Sequence, residues 1–548
     1  MKKIILSLVI ILSITGFTET SYSQKITPGT DVITSSDLSS YLTFLASPLL
    51  KGRKNGEPDL DIAQQYIISQ ARLLGLKPAN GNSYLQPYYV SRSTMDPEKT
   101  VIRVAHKGQD TLTFHDTVFQ LIPVGPSDFS VEGEVVFAGY GLKQDKYHYN
   151  DFENIETDGK ILLVMTGAPS DAEGKYAFEG TNWKSFMGLQ LKLTSLLFSK
   201  AKAVLFVMDP RSGFSTLDDQ FPGISGELTS SMSLKGDKPK TFQFGNMPKI
   251  LFISRNVADA LLAGSGSSLE SLQAKIDSEV KPNSFVIPNK YVKISEGSRK
   301  EDVQLNNVAA FIEGRDPVLK DEYVVFSCHA DHLGVTSKGI NTGADDNASG
   351  CSALLSIAKA FESLEKKPLR SILFLWFSGE EIGLYGSQTY VNNPLVPLEK
   401  TVADLNMDMI GRVKGVADTS KENPMTGPNK VFVITDNQSK DLIQIADDID
   451  HESDLDFDYS LSGRNHPLQL FARSDHFNFV KHDIPVMFFT TGLHTDYHTP
   501  RDVVEKIDFT KMELVTRTVY QIGYTVANRK ARIIVDNPYS GWNKKQGN

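Results

Sequence analysis

Cysteine is nearly absent. The 548 residues contain only Cys328 and Cys351, too few for a disulfide framework. Each reads as a small buried side chain, and a single bridge between them stays open. A basic excess is lacking too: 57 Lys and Arg face 66 Asp and Glu. With no concentrated basic run, nucleic acid and anionic membrane have no electrostatic claim on the chain. Beyond the N-terminus no apolar stretch approaches the length of a membrane span. Internal repeats and low-complexity tracts are missing as well, which sets aside repeat architectures. What is there is ordinary globular composition, 40% hydrophobic and 22% charged. At roughly 100–200 residues per domain, two to four domains fit.

The N-terminus combines Met1-Lys-Lys3, the apolar stretch Ile4 to Phe17, and the small residues Ser21 and Ser23. A basic start, a short apolar segment and a small-residue cut site predict a signal peptide over 1–23. The mature chain is therefore expected in the periplasm or outside the cell, free of the membrane once the signal is removed. No cysteine lies where a lipid anchor would attach.

Residues 34–90 show helical spacing, as in "DLDIAQQYIISQARLLG". From about 100 to 290 the texture changes to short β-like runs, "GEVVFAGYGL", "GKILLVMTG", "KAVLFVMDP" and "MPKILFIS". From about 305 strands and helices alternate, the pattern of an α/β sheet with mostly parallel strands flanked by helices. The clearest helix is "SGCSALLSIAKAFESLEKK", with Ser349 placed to cap it. The expected organisation is a first part of the main domain at 24–115, an inserted β-rich module at 116–290, the α/β part at 291–535 and a frayed tail at 536–548.

Ligands of open α/β sheets sit outside the carboxyl ends of the strands. Here "YVVFSC" is followed by His329, Asp331 and His332, "SILFLWF" by Glu380 and Glu381, "VADLNM" by Asp408, and "PVMFFTT" by His494, Asp496, Tyr497, His498 and Asp502. The Gly-rich turn "GADDNASG" adds Asp345 and Asp346. Each of these alone is ordinary: a solvated loop, a turn, a capped helix. Together they crowd carboxylates at one sheet edge, and like charges in low dielectric need cations. Imidazole mixed with carboxylate suits Zn²⁺ or another first-row divalent ion better than Ca²⁺. Two ions sharing one bridging carboxylate would account for the number of ligands.

The ordered set "HADHLG…NTGADDNASG…WFSGEEIGLYGS…LNMDMIG…RSDHFNF…DYHTPRD" resembles the co-catalytic zinc exopeptidases of the bacterial leucyl aminopeptidase and glutamate carboxypeptidase type. "VVFAGYGL…YNDFENIETDGKILLVMTGAP…KAVLFVMDP" resembles the protease-associated (PA) domain that many of them carry as an insertion. The resemblance implies two zinc ions, with other divalent metals as alternatives, and Asp345 bridging them. His329 and Asp408 would complete one site, Glu381 and His498 the other. Asp331 would orient His329, Asp346 would support the ligands, and a cis peptide would join Asp345 to Asp346. Glu380 matches the general base and Tyr497 a tyrosine that helps polarise the scissile carbonyl. "RSDHFNF" is structural or lines the substrate cleft, and His332, His476 and His494 are further imidazoles near the implied ligands.

The function so implied is an exported zinc aminopeptidase acting on peptides with a free N-terminus. A carboxypeptidase of the same superfamily needs arginines for a terminal carboxylate, for which Arg412, Arg464, Arg473 and Arg501 are the candidates. A glutaminyl cyclase fits less well, because the related cyclases use one zinc. A non-catalytic binding module of similar fold would have lost ligand types that are all present here.

Overall fold

The computed structural model describes residues 27–540 apart from 108–109, 116–118, 123–127, 222–223, 237–246, 337, 417 and 421–422. The expected signal peptide and the last eight residues lie outside this range. Among the described residues no helix is long and apolar enough to cross a membrane.

Two sheets organise the chain. The larger contains β1 (Leu85–Met95), β2 (Ser230–Leu234), β3 (Ser298–Ile312), β4 (Tyr323–His329), β5 (Ser371–Phe377), β6 (Thr401–Met407), β7 (Lys430–Ile434), β8 (Asp456–Asp458) and β9 (Val486–Thr490), in the order β2-β1-β3-β5-β4-β6-β9-β7-β8. Strands β5, β4, β6 and β9 are mutually parallel, and antiparallel pairs flank them at β3/β5 and β9/β7. The parallel centre is as expected, with antiparallel wings.

Apolar runs form that centre because both faces are covered. Alternate side chains of a strand point to opposite faces. Ile372, Phe374 and Trp376 therefore join a core with helices Ser35–Leu45, Gly350–Ser363 and Phe509–Asn528. Leu373, Leu375 and Phe377 meet Tyr390, Val391, Phe479 and Val480 on the other side. At about 25 cal/mol per Å² of apolar surface, burial on both faces makes these strands a large contributor to stability.

The second sheet runs Leu112–Phe114, Val101–His106, Phe285–Glu296, Phe129–Phe137, Ile161–Met165, Ala203–Val207, Lys249–Phe252 and Phe119–Ile122. It therefore begins near residue 101 and not at 116. Its centre is parallel and it carries helices such as Arg255–Leu262 and Leu269–Glu279, so it is α/β in character. The module also returns β2 to the larger sheet, where it pairs with β1.

Two local expectations need correction. Ser349 does not cap the Gly350–Ser363 helix: its hydroxyl donates to the Asp345 carbonyl at 2.6 Å, and the Asn347 side chain accepts from Gly350 N–H at 2.8 Å instead. The tail is not frayed as far as residue 540. Asp536 N–H donates to Gln438 O at 2.8 Å and Ser540 N–H to the Asp483 carboxylate at 2.9 Å.

Candidate metal centre

Strands β4, β5, β6 and β9 deliver their next residues to one edge of the sheet. His329 ends β4, and its Nε2 stands 3.3 Å from both Asp346 Oδ1 and Asp408 Oδ1. His498 Nε2 stands 3.2 Å from Asp346 Oδ2 and 3.2 Å from Glu381 Oε2. Asp346 thus sits between two imidazoles, each with a second carboxylate.

The expectation that Asp345 bridges is not met. Its Oδ1 accepts from Gly411 N–H at 2.6 Å, its Oδ2 lies 3.4 Å from His494 Nε2, and the residue is fully buried beneath the site. The cis peptide likewise joins Asp346 to Asn347 and not Asp345 to Asp346. The Asp502 carboxylate explains the placement: it accepts the backbone N–H of Asp345 at 3.0 Å and of Asp346 at 3.1 Å. The turn is thereby fixed with the Asp345 side chain inward and that of Asp346 outward.

Glu380 and Glu381 leave β5 through a turn held from beneath. The Asp331 carboxylate accepts from Glu380 N–H at 3.3 Å, Glu381 N–H at 3.2 Å and the Asn55 amide at 2.6 Å. Asn55 in turn accepts Gly379 N–H at 2.9 Å. Gly379 has φ of 72° and a β-carbon there would meet Tyr88 Oη at 2.5 Å, so only glycine makes this turn. Asp331 reaches His329 Nδ1 through its backbone carbonyl at 3.1 Å, while its carboxylate is 3.7 Å away. Its carboxylate therefore serves the glutamate turn.

His332, one of the ambiguous imidazoles, places Nδ1 2.6 Å from Glu381 Oε1 and 3.7 Å from Asp346 Oδ2. The others stand apart. His476 stacks on Phe488 and bonds the Phe471 carbonyl at 2.9 Å, and burial pushes its pKa down to about 3. His494 lies with Asp345. Sequence reasoning missed Asn55 and buried Arg53, whose guanidinium donates to the carbonyls of Ala330, Thr342 and Gly343 at 2.7–3.0 Å. Nothing near either residue in the chain marks it.

Glu380 and Tyr497 line one cleft with Asp346 and Asp408, and Met409, Leu470, Phe488 and Leu493 give it apolar walls. Burial holds the Glu380 pKa well above the ordinary carboxylate value; His329 opposes this, and Glu381 and Asp408 add to it. The Tyr497 ring stacks on His498 at 3.8 Å. Burial, reinforced by Asp346 and Glu381, keeps its phenol protonated. Ligand atoms of His329, Asp346 and Glu381, and of His329, Glu380 and Asp408, lie within 4.8 Å of one another. His329 and His498 with the carboxylates of Asp346, Glu381 and Asp408, and no thiolate, form a donor set for a first-row divalent ion. The crowded negative charge is what such a cation offsets.

The chain is similar to several known proteins. Residues 307–523 match Peptidase family M28. A leucine aminopeptidase 1 of Trichophyton rubrum is 34% identical over 147 residues, covering 26% of this chain and 37% of its own. A probable leucine aminopeptidase of Arthroderma otae is 28% identical over 243 residues, covering 42% of this chain and 62% of its own. The match thus spans less than two thirds of either relative. Among solved structures, an aminopeptidase from Aneurinibacillus sp. strain AM-1 aligns with TM-score 0.52 at 18% identity, covering 93% of this chain and 97% of that one. A zinc aminopeptidase from Bacillus subtilis aligns with TM-score 0.50 at 18% identity, covering 92% and 99%. These two share the fold.

Proposed function

We propose that the protein, whose residues 307–523 match Peptidase family M28, is an exported zinc aminopeptidase that removes the N-terminal residue of peptides. The single observation that carries this reading is Asp346 set between His329 and His498, with Asp408 and Glu381 completing the two flanks. In this reading His329, Asp346 and Asp408 would hold one zinc ion, and Asp346, Glu381 and His498 would hold another. Zinc there supplies Lewis acidity that activates water and polarises a peptide carbonyl.

The chain's own residues do the rest. Glu380, beside the ligands but bonded to none, takes a proton from the attacking water and returns it to the leaving amine. Tyr497, kept neutral, donates a hydrogen bond to the developing oxyanion. The carboxylates around the cleft attract a free α-ammonium group, and the apolar walls favour an aliphatic first side chain. The second sheet fits a PA module, and the first 23 residues fit an export signal.

A carboxypeptidase is the second reading, and Arg473 is the observation that favours it. Arg412 pairs with Asp496 at 2.9 Å, Arg501 with Asp496 at 2.8 Å and Arg464 with Asp436, whereas Arg473 lines the cleft. Hydrolysis of aminoacyl anilides and of N-acetylated peptides separates the two. Aminopeptidase action requires the free amine and is lost on acetylation; cleavage of the blocked peptides alone refutes it. Glu380→Gln should bind zinc normally and lose about 10²–10⁴-fold in kcat; near-normal turnover in that variant removes Glu380 as the base.

A further inference from the structure

Behind the cleft a line of buried side chains runs away from Asp408. Asp404 and Asn406 precede it at two-residue intervals on β6, so the three share a direction, and β4 pairs Ser327 with Asn406. Asp404, Asn406 and Ser327 are fully buried, and Ser474 nearly so. Ser327 Oγ lies 2.7 Å from Asp404 Oδ1 and 3.0 Å from Asn406 Oδ1. Asn406 Nδ2 donates to Ser474 Oγ at 3.0 Å, and Ser474 Oγ donates to Asp408 Oδ2 at 2.8 Å.

The protons in this line can be counted. Ser474 has one, used on Asp408, so it must accept from Asn406 Nδ2. That fixes the Asn406 amide with Oδ1 toward Ser327. Ser327 also has a single proton. Given to an ionised Asp404, it leaves two buried oxygens, Ser327 Oγ and Asn406 Oδ1, facing each other with no hydrogen between them. If Asp404 carries its own proton, it donates to Ser327, Ser327 to Asn406, Asn406 to Ser474 and Ser474 to Asp408. Every contact is then satisfied and all run one way.

We infer that Asp404 is a neutral carboxylic acid heading a one-way chain of hydrogen bonds that ends on Asp408 and fixes the orientation of that carboxylate. The surroundings agree. Among the described residues no cation pairs with Asp404, and its Oδ2 has no partner. The titratable groups facing it are Asp475 and Tyr390. Burial pushes its pKa up to about 8, with Ser327 opposing and Asp475 adding. With Ser474 held on Oδ2, Asp408 turns Oδ1 toward His329. Asp404, Ser327 and Asn406 are positioning residues, since none touches substrate or metal.

The inference rests on the reading of Asp408 as a zinc ligand, and two measurements on the full chain test it separately from that reading. The first is an infrared difference spectrum, wild type minus Asp404→Asn, at neutral pH. The C=O band of a neutral carboxylic acid should be lost in the variant; a lost carboxylate band instead overturns the inference, whatever the protein does with zinc. The second is zinc affinity by chelator competition. Ser327→Ala and Asn406→Leu should each weaken zinc about tenfold or more, the range of changes to groups that orient metal ligands. Asp404→Asn, whose amide still has a hydrogen for Ser327, should stay within about threefold of wild type. Unchanged affinity in a folded Ser327→Ala or Asn406→Leu overturns the positioning role. If the core variants do not fold, the infrared result on Asp404→Asn still decides. A wild type that binds no zinc refutes the functional reading and leaves the infrared result standing.

Discussion

Asp345 and Asp346 are neighbours of identical chemistry, and the structure places their side chains on opposite sides of the turn. Replacing each by asparagine therefore separates them. In Asp346→Asn the group between His329 at 3.3 Å and His498 at 3.2 Å loses its charge and one oxygen. Disturbing a group that merely orients a metal ligand costs about 10–100-fold in affinity. A shared direct ligand should cost more, on the order of 10³-fold, or about 4 kcal/mol at 1.36 kcal/mol per factor of ten. In Asp345→Asn the amide oxygen still accepts Gly411 N–H, a contact of 2.6 Å in the native chain. The charge assistance and the Oδ2 contact with His494 at 3.4 Å are lost, worth about 1–2 kcal/mol of folding stability. Zinc content after dialysis, anilide hydrolysis and thermal melting read both variants. Asp346→Asn should melt as a folded protein, hold little zinc and turn over at least 10³-fold more slowly. Asp345→Asn should keep its zinc and stay within about threefold of wild type while melting earlier. The reverse assignment, with Asp345→Asn empty and inactive and Asp346→Asn competent, refutes the geometry.

Other consequences follow from single contacts. His332→Phe removes the partner of Glu381 Oε1, at 2.6 Å, and should weaken zinc binding about 10–100-fold with little change in KM; unchanged affinity refutes a supporting role. His476 has a folded pKa of about 3, below the ordinary value near 6.5. Its depressed pKa contributes stability that is complete above about pH 6.5 and is lost as pH falls toward 3, because the unfolded chain takes up the proton first. Urea melts should accordingly show wild type losing up to about 2.7 kcal/mol relative to His476→Phe between pH 7 and 4.5; parallel losses in both proteins refute it. Cys328 and Cys351 are buried free thiols, with the Cys328 thiol donating to Cys351 Sγ at 3.7 Å, so thiol reagents should react with neither until the protein is denatured.

The parts of the site written in short-range signals were legible in the sequence. The run 371–377 announced a strand covered on both faces, and the fold rule gathered the His and carboxylate groups after such strands at one edge; the resemblance singled out His329, Glu381, Asp408 and His498 among them. Supports that act across the chain were not legible. Asn55 holds the turn at Gly379, and Arg53 ties the carbonyl oxygens of Ala330, Thr342 and Gly343. Both sit within residues 34–90, where the local pattern shows only helical spacing. The edge of the second sheet was misplaced for a similar reason. Strand Val101–His106 looks like any short β run, and only its pairing with Phe285–Glu296 assigns it to that sheet.

The exchange of roles between Asp345 and Asp346 has the same origin at higher resolution. In a turn of adjacent aspartates, both side chains are short, charged and equally fit to bind a metal. The choice belongs to the backbone, and distant groups impose it. Asp502 accepts both amide hydrogens, Gly411 N–H captures the Asp345 carboxylate, and the Asn347 side chain both caps the following helix and donates to the Met407 carbonyl at 2.9 Å. Apart from the Asn347 cap, each contact lies beyond any local window, and together they leave one outward position. The same logic makes Asp331 more useful to Glu380 and Glu381 than to His329: the carboxylate goes where two amide hydrogens and the Asn55 amide meet, and a backbone carbonyl suffices for the imidazole. Residue types and their places at strand ends identify which chemistry gathers at this edge. Which atom faces the metal follows from the hydrogen-bond partners, and those are a property of the whole fold.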